Sequence, residues 1–203
     1  MASGDVTEDE PLAAGGFSAW LAGLHDALRG ERDSEVPCGG CTACCRSFQF
    51  IQIGPDEVDA LAHIPAELLV PAPGQPPGHL VLGHDQHGHC PMLVDDRCSI
   101  YEHRPRTCRT YDCRVFPATG IEIDDERQGA IALRARRWRF DFPGEVDERQ
   151  HEAVLAAAAF VEAGQDRRSD GSPRANATQR AVLAVRLHES LQRHSDESGH
   201  TGA

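Results

Sequence analysis

The chain has 203 residues, of which 40% are apolar and only 5% aromatic, and its formal charge is −12 with 20 cations that are all arginine. That length suits one domain with appendages, and so modest a core is the setting in which a bound metal contributes to folding. The acidic balance argues against a dedicated nucleic-acid binder, and no apolar run approaches the ~20 residues of a membrane span.

Residues 1–15 read as a disordered acidic leader. They lack the basic and apolar parts of a secretory signal, so the expected compartment is the cytoplasm. Arginine without lysine, with much Ala and Gly, points to a GC-rich bacterial genome. Phe17, Trp20, Leu21, Leu24 and Leu28 share one helical face, which Gly30 ends. PCGGCTACCRSF, residues 37–48, then places Cys38, Cys41, Cys44 and Cys45 within eight positions. FQFIQI at 48–53 predicts a strand. Gly54 and Pro55 open a short helix with Val58, Leu61 and Ala62 inside, ended before Pro65. PAPGQPPG, 71–78, is a loop.

HLVLG at 79–83 and CPMLV at 90–94 predict a β-hairpin across the polar turn HDQHGH. Asp95-Asp96 turns the chain again into RCSIY, and Pro105 starts a short helix carrying Cys108. GAIALRARRW predicts a helix followed by an extended exit to Pro143. Asp147 and Gln150 form a capping-box pattern for a helix that Gly164 stops. QDRRSDGSPR has linker composition, and Asn176 with Gln179 caps a last helix carrying Val182, Leu183, Leu187 and Leu191. The fold class is mainly α with a small β-hairpin (α+β), an irregular cysteine-rich core flanked by helices. The expected organisation is the leader 1–15, a single metal-binding domain 16–164 with its motif core at 36–116, a linker 165–175, a helix 176–194 and a disordered tail 195–203.

Thiols are kept reduced in the cytoplasm, and adjacent cysteines make a strained disulfide, so clustered cysteines there point to metal or redox chemistry. The eight cysteines fall into two groups, Cys38-x2-Cys41-x2-Cys44-Cys45 and Cys90-x7-Cys98-x9-Cys108-x4-Cys113. Two intervening residues let a chain curl around one ion. A CxxCxxC run with a remote Cys-Pro, here Cys90-Pro91, is also how ferredoxins hold a [4Fe–4S] cluster. Eight thiols serve two four-sulfur sites, or one site with spare cysteines. Cys44 and Cys45, being neighbours, face different directions.

Zinc with four thiolates is formally −2. Between Arg97 and Arg139 ten arginines face six acids, a local +4, while the rest of the chain carries −16. Arg104, Arg106, Arg109 and Arg114 flank Cys108 and Cys113 and suit an anionic centre, an anionic substrate or plain solvated surface. His84, His87 and His89 read as a polar turn or, less simply, as ligands. The radical-SAM spacing fails because position 48 is Phe48, and there is no P-loop, GxSxG or HExxH.

Taken together, CGGCTACC, CPML and CSIYEHRPRTCR resemble the YkgJ-type cysteine-cluster family, described as zinc- or iron-chelating. The family pattern CxxCxxCC, a later Cys before Leu, and CxIYxxRPxxCR is matched by Cys38, Cys41, Cys44 and Cys45; by Cys90 with Leu93; and by Cys98, Ile100, Tyr101, Arg104, Pro105, Cys108 and Arg109. The resemblance covers about residues 36–116, with Cys113 as an accessory cysteine. It implies metal or Fe–S binding without one reaction. Some larger relatives with a similar cluster are flagellin lysine N-methylases, but this chain shows no S-adenosylmethionine site.

The expectation is a cytoplasmic metal centre drawing sulfur from both groups, an iron–sulfur cluster ([4Fe–4S] favoured) or Zn2+. Tyr101 would pack over the centre, Arg104 would bond to a carbonyl or to sulfur beside Arg109, and Pro105 would aim Cys108. A redox or cluster-dependent modifying protein, with a protein partner or protein substrate, competes with a non-enzymatic zinc module for protein contacts and with a metal carrier. No nucleic acid and no membrane enter any reading, and none fixes an oligomeric state.

Overall fold

The computed structural model describes residues 10–166 and 175–199. In chain order the elements are β1 (Leu12–Gly16), α1 (Phe17–Arg29), β2 (Ile51–Ile53), α2 (Val58–His63), β3 (Leu69–Pro71), β4 (Leu80–Leu82), β5 (Leu93–Val94) and β6 (Arg97–Cys98). Then follow α3 (Arg106–Thr110), α4 (Val115–Thr119), α5 (Gly129–Ala135), β7 (Trp138–Asp141), α6 (Glu145–Asp166) and α7 (Ala177–Gly199). The mixture is α+β, helix-dominated with small sheets, as the periodicities predict. Among the described residues no helix is long and apolar enough to cross a membrane.

The chain divides into two compact units. The helical unit is discontinuous and takes Met1–Asp26, Cys113–Asp124 and Leu133–Ala203; the cysteine unit takes Ala27–Asp112 and Asp125–Ala132.

In the helical unit β1 pairs parallel with β7, Leu12 opposite Trp138 and Gly16 opposite Asp141. Residues 12–15, assigned by composition to the leader, are therefore built into a sheet; residues 1–9 lie outside the described residues. The apolar stripe of α1 is buried as its spacing predicts, with Phe17, Trp20, Leu21 and Leu24 all inside. Phe17 and Trp20 close on Phe140 of β7, with ring centroids 5.2 and 4.7 Å away. Gly30 ends the helix at φ +79°, a conformation in which a side chain is strained.

Helices α6 and α7 meet on rows of small side chains. Val154, Ala157, Ala158 and Val161 lie at helical spacing and are buried, as are Ala177, Ala181, Ala184 and Val185. The start of α7 is a reciprocal box: Asn176 N–H donates to Gln179 Oε1 (3.0 Å) and Gln179 N–H to Asn176 Oδ1 (2.9 Å). The box expected of Asp147 and Gln150 does not form, and Gln150 Oε1 is buried with no hydrogen-bond partner among the described residues. Asp147 lies inside the first turn of α6, and its carboxylate accepts the Ser18 N–H of α1 at 2.9 Å, capping a helix 129 residues away. That bond holds the Asp147 carboxyl below its usual range. Gly164 does not stop α6, which reaches Asp166; α7 likewise runs on past Ser195 to Gly199. Most of the predicted linker, residues 167–174, and residues 200–203 lie outside the described residues.

In the cysteine unit β4 is the central strand of a three-stranded antiparallel sheet, flanked by β2 and β3. Ile51 faces Leu82 and Ile53 faces Leu80 on one side; Leu69 faces Leu82 on the other. The hairpin expected between HLVLG and CPMLV does not form. CPM is a turn, closed by Leu93 N–H to Cys90 C=O at 2.9 Å, and β5 pairs with β6 instead, Leu93 opposite Cys98. Pro91 has no N–H to give a ladder, which favours the turn. Asp95 and Asp96, at φ +47° and +57°, make the two-residue reversal that matches strand twist. Of the expected helix face in α2, Val58 and Ala62 are exposed, and Ala60 with the following Ile64 are buried.

Candidate metal centre

A cluster of Ile51, Ile53, Ile64, Leu82, Met92 and Ile100 forms the core of the cysteine unit, and Cys90, Cys98 and Cys108 pack against it. Burying each of those large aliphatic side chains contributes about 1.5–3 kcal/mol, so the sheet fixes the floor on which three sulfurs rest.

Each cysteine is delivered by a different local device. The loop after Cys44 is zipped to the loop before Cys90: Phe48 N–H donates to Gly88 C=O (2.9 Å) and Cys90 N–H to Cys45 C=O (2.7 Å). Gly88 sits at φ +81° under the Phe48 ring, where a Cβ would occupy the space of the ring itself. Cys98 is placed by β6. Cys108 rides on α3, whose entry is set by the buried Pro105: its carbonyl accepts Cys108 N–H (2.9 Å) and Arg109 N–H (3.1 Å). Arg109 ties this turn to the N-terminal loop, donating Nε to Arg104 C=O (3.0 Å) and Nη1 to Asp33 (3.0 Å). Ser34 N–H reaches Arg109 C=O at 2.9 Å, four residues before Cys38.

Four thiols share one neighbourhood. Burial first, then the proximity of Cys44, Cys90 and Cys98, pushes the Cys108 thiol up to about 12, while Arg104 pulls it down. Cys90 is raised by burial and by Cys98 and Cys44. Cys44 is raised above the usual thiol range by its hydrogen bond with Cys45 and then by the protein packed around its sulfur, even though the residue as a whole is exposed. No disulfide joins any two of the eight cysteines. Cys38 and Cys41 form the turn before this group, Cys41 N–H to Cys38 C=O at 3.0 Å, both half-buried. Cys113 belongs to the helical unit, buried, with Trp138 Nε1–H donating to its Sγ at 3.2 Å.

The arginines also separate. Arg106 pairs with Asp56, Arg109 with Asp33, and Arg114 donates to Ala14 C=O within the helical unit. Arg104 stacks its guanidinium 3.4 Å over the Tyr101 ring and is the cation whose field reaches Cys108. Its Nε is buried with no hydrogen-bond partner among the described residues. Tyr101 is 51% exposed and supports the Arg104 guanidinium on its ring.

Donor chemistry and surroundings fit a metal. Crowded thiols hold their protons only for want of a cation; a bound ion or cluster reverses that and takes them as thiolates. An all-sulfur set selects zinc, Cu(I) or iron–sulfur centres. An orphan guanidinium N–H beside them suits an anionic product of that binding. His84, His87 and His89 have the duller role: Asp85 Oδ1 accepts the His87 and His89 N–H groups at 2.8 and 2.9 Å, and His84 packs against Phe48 and Phe50.

These features define a thiol-lined metal-chelating domain. Residues 37–129 match the CxxCxxCC family model, described as a putative zinc- or iron-chelating domain. Over this segment the chain is similar to that family, as its motifs suggest. Neither the curated proteins nor the solved structures compared with it gave a match.

One cluster escaped the sequence reading. Asp59, His63 and His103 bring ligand atoms within 4.8 Å of one another, and among the described residues the cysteine sulfurs form no three-donor group that tight. The i,i+4 spacing of Asp59 and His63 on α2 was the available signal.

Proposed function

We propose that this protein holds an iron–sulfur cluster on Cys44, Cys90, Cys98 and Cys108 and uses it for redox or cluster-dependent modification chemistry. The observation that carries this reading is the grouping of four thiols from four separate segments without a tight three-sulfur triad. Sulfurs on one tetrahedral zinc stand about 3.8 Å apart, given bonds of about 2.3 Å. In a cubane each thiolate binds its own iron, so the sulfurs are spread wider.

In this reading Arg104 offsets the charge of the centre and offers it an N–H, Tyr101 keeps Arg104 in place, and Pro105 with Arg109 aims Cys108. The bound cluster would supply one-electron chemistry. Cys38, Cys41 and Cys45 are the neighbouring sulfurs available to a second ion or to exchange, and Cys113 is a packing residue of the helical unit.

Anaerobic purification followed by a visible spectrum and analysis for iron, zinc and acid-labile sulfide tests the proposal. Brown protein with iron and sulfide supports it, and Cys44→Ser should then lose more iron than Cys41→Ser. Colourless protein with zinc alone overturns it in favour of a zinc module for protein contacts.

A further inference from the structure

We infer that His63 and His103 form a separate two-imidazole site for one divalent transition-metal ion, with Asp59 as its positioning residue. The inference goes beyond the cysteine centre and does not depend on it.

The two rings stack with centroids 3.5 Å apart and planes 4° from parallel. Both are tied to one residue. His63 Nδ1 lies 2.8 Å from the Asp59 backbone carbonyl, and His103 Nδ1 lies 2.9 Å from Asp59 Oδ2. A carbonyl oxygen only accepts, so His63 must carry its proton on Nδ1. The Asp59 carboxyl is held below its usual range, first by the His103 hydrogen bond, so it too only accepts. Both neutral imidazoles are thereby fixed as the Nδ1–H tautomer, which leaves both Nε2 lone pairs on the side away from Asp59.

This is how proteins prepare histidine ligands: the other ring nitrogen donates to a carboxylate or backbone carbonyl, which sets tautomer and orientation. Here one aspartate does both. Coordination requires the ion near the plane of each ring, so the parallel rings must swing apart by tens of degrees about their Nδ1–H anchors; both side chains are well exposed to solvent and have room to do so. Two imidazoles favour zinc, nickel or copper over magnesium or calcium, and two donors leave positions for water or a further ligand.

The test uses the full chain, loaded with zinc until a thiol reagent finds no further loss of reactive sulfur, then titrated with more zinc. Imidazole 15N–1H spectra report each ring. The expected result is that the Nε2 signals of His63 and His103 move together, complete near one added equivalent, while the signals of His84, His87 and His89 stay in place. His63→Gln should weaken this binding at least tenfold, and Asp59→Ala by roughly tenfold through loss of the orienting carboxylate. Movement of only one ring or neither in the unaltered chain, or wild-type affinity in His63→Gln, overturns the assignment.

Discussion

Zinc added to the metal-free, fully reduced chain should release close to four protons per ion bound. A thiol of ordinary pKa near 8.5 is only about 3% ionised at pH 7. The hydrogen bond with Cys45 and then burial raise Cys44, and burial with crowding raises Cys90 and Cys108, Cys108 to about 12. Binding as thiolates must therefore expel the protons. Four sulfurs make the apparent binding constant climb by about four decades per pH unit, or roughly 5.5 kcal/mol. Competition against a chromophoric chelator between pH 6.5 and 7.5 reads the slope, and calorimetry in two buffers of different ionisation enthalpy counts the protons. A slope of two decades or less, or two protons or fewer, would refute a four-sulfur centre.

The same groups give the metal-free fold a pH limit. Because the folded Cys108 pKa lies above its unfolded value, its contribution is intact below about 9 and is lost as pH climbs towards about 12.

Gly88→Ala combines a disfavoured φ with a Cβ inside the Phe48 ring, and should cost about 2–3 kcal/mol by urea unfolding while weakening metal uptake. Gly74→Ala, also at positive φ but facing open space, should cost only about 1 kcal/mol. Arg104→Ala should lower metal retention in a chelator challenge and reduce the melting temperature; if both stay unchanged, Arg104 and Tyr101 do not serve the centre. His188 is buried, with neither ring nitrogen hydrogen-bonded among the described residues, and burial, then His25, pushes its pKa down against the pull of Glu189. Its contribution is present above about 6.5 and lost as pH falls, so His188→Phe should flatten the decline in melting temperature between pH 7 and 5.

Much of this was legible from local rules. The α1 stripe, the Asp95-Asp96 reversal, the Pro105 entry to α3 and the Asn176–Gln179 box each depend on a few neighbouring residues. What failed depended on distance. The strand character of HLVLG was readable, but its partners β2 and β3 were not, because apolar runs of three residues specify burial and leave the pairing to tertiary packing. Asp147 carries the right residue for a cap, yet nothing local says the cap serves α1. At the centre, spacing suggested sulfur from both cysteine groups but no partition; the 45–48 and 88–90 loops zip together, and Cys44 comes near three later cysteines.

The pairing of β1 with β7, and of Ser18 with Asp147, has a consequence for synthesis. Ser18 leaves the ribosome with its partner Asp147 still 129 residues behind. At about 5–20 residues per second that wait is roughly 6–26 s. The cysteine stretch is translated within that interval, so it is out in solution ahead of the segment that completes the helical unit. Nascent chains thus meet their cation, or oxygen, before the terminal helices exist.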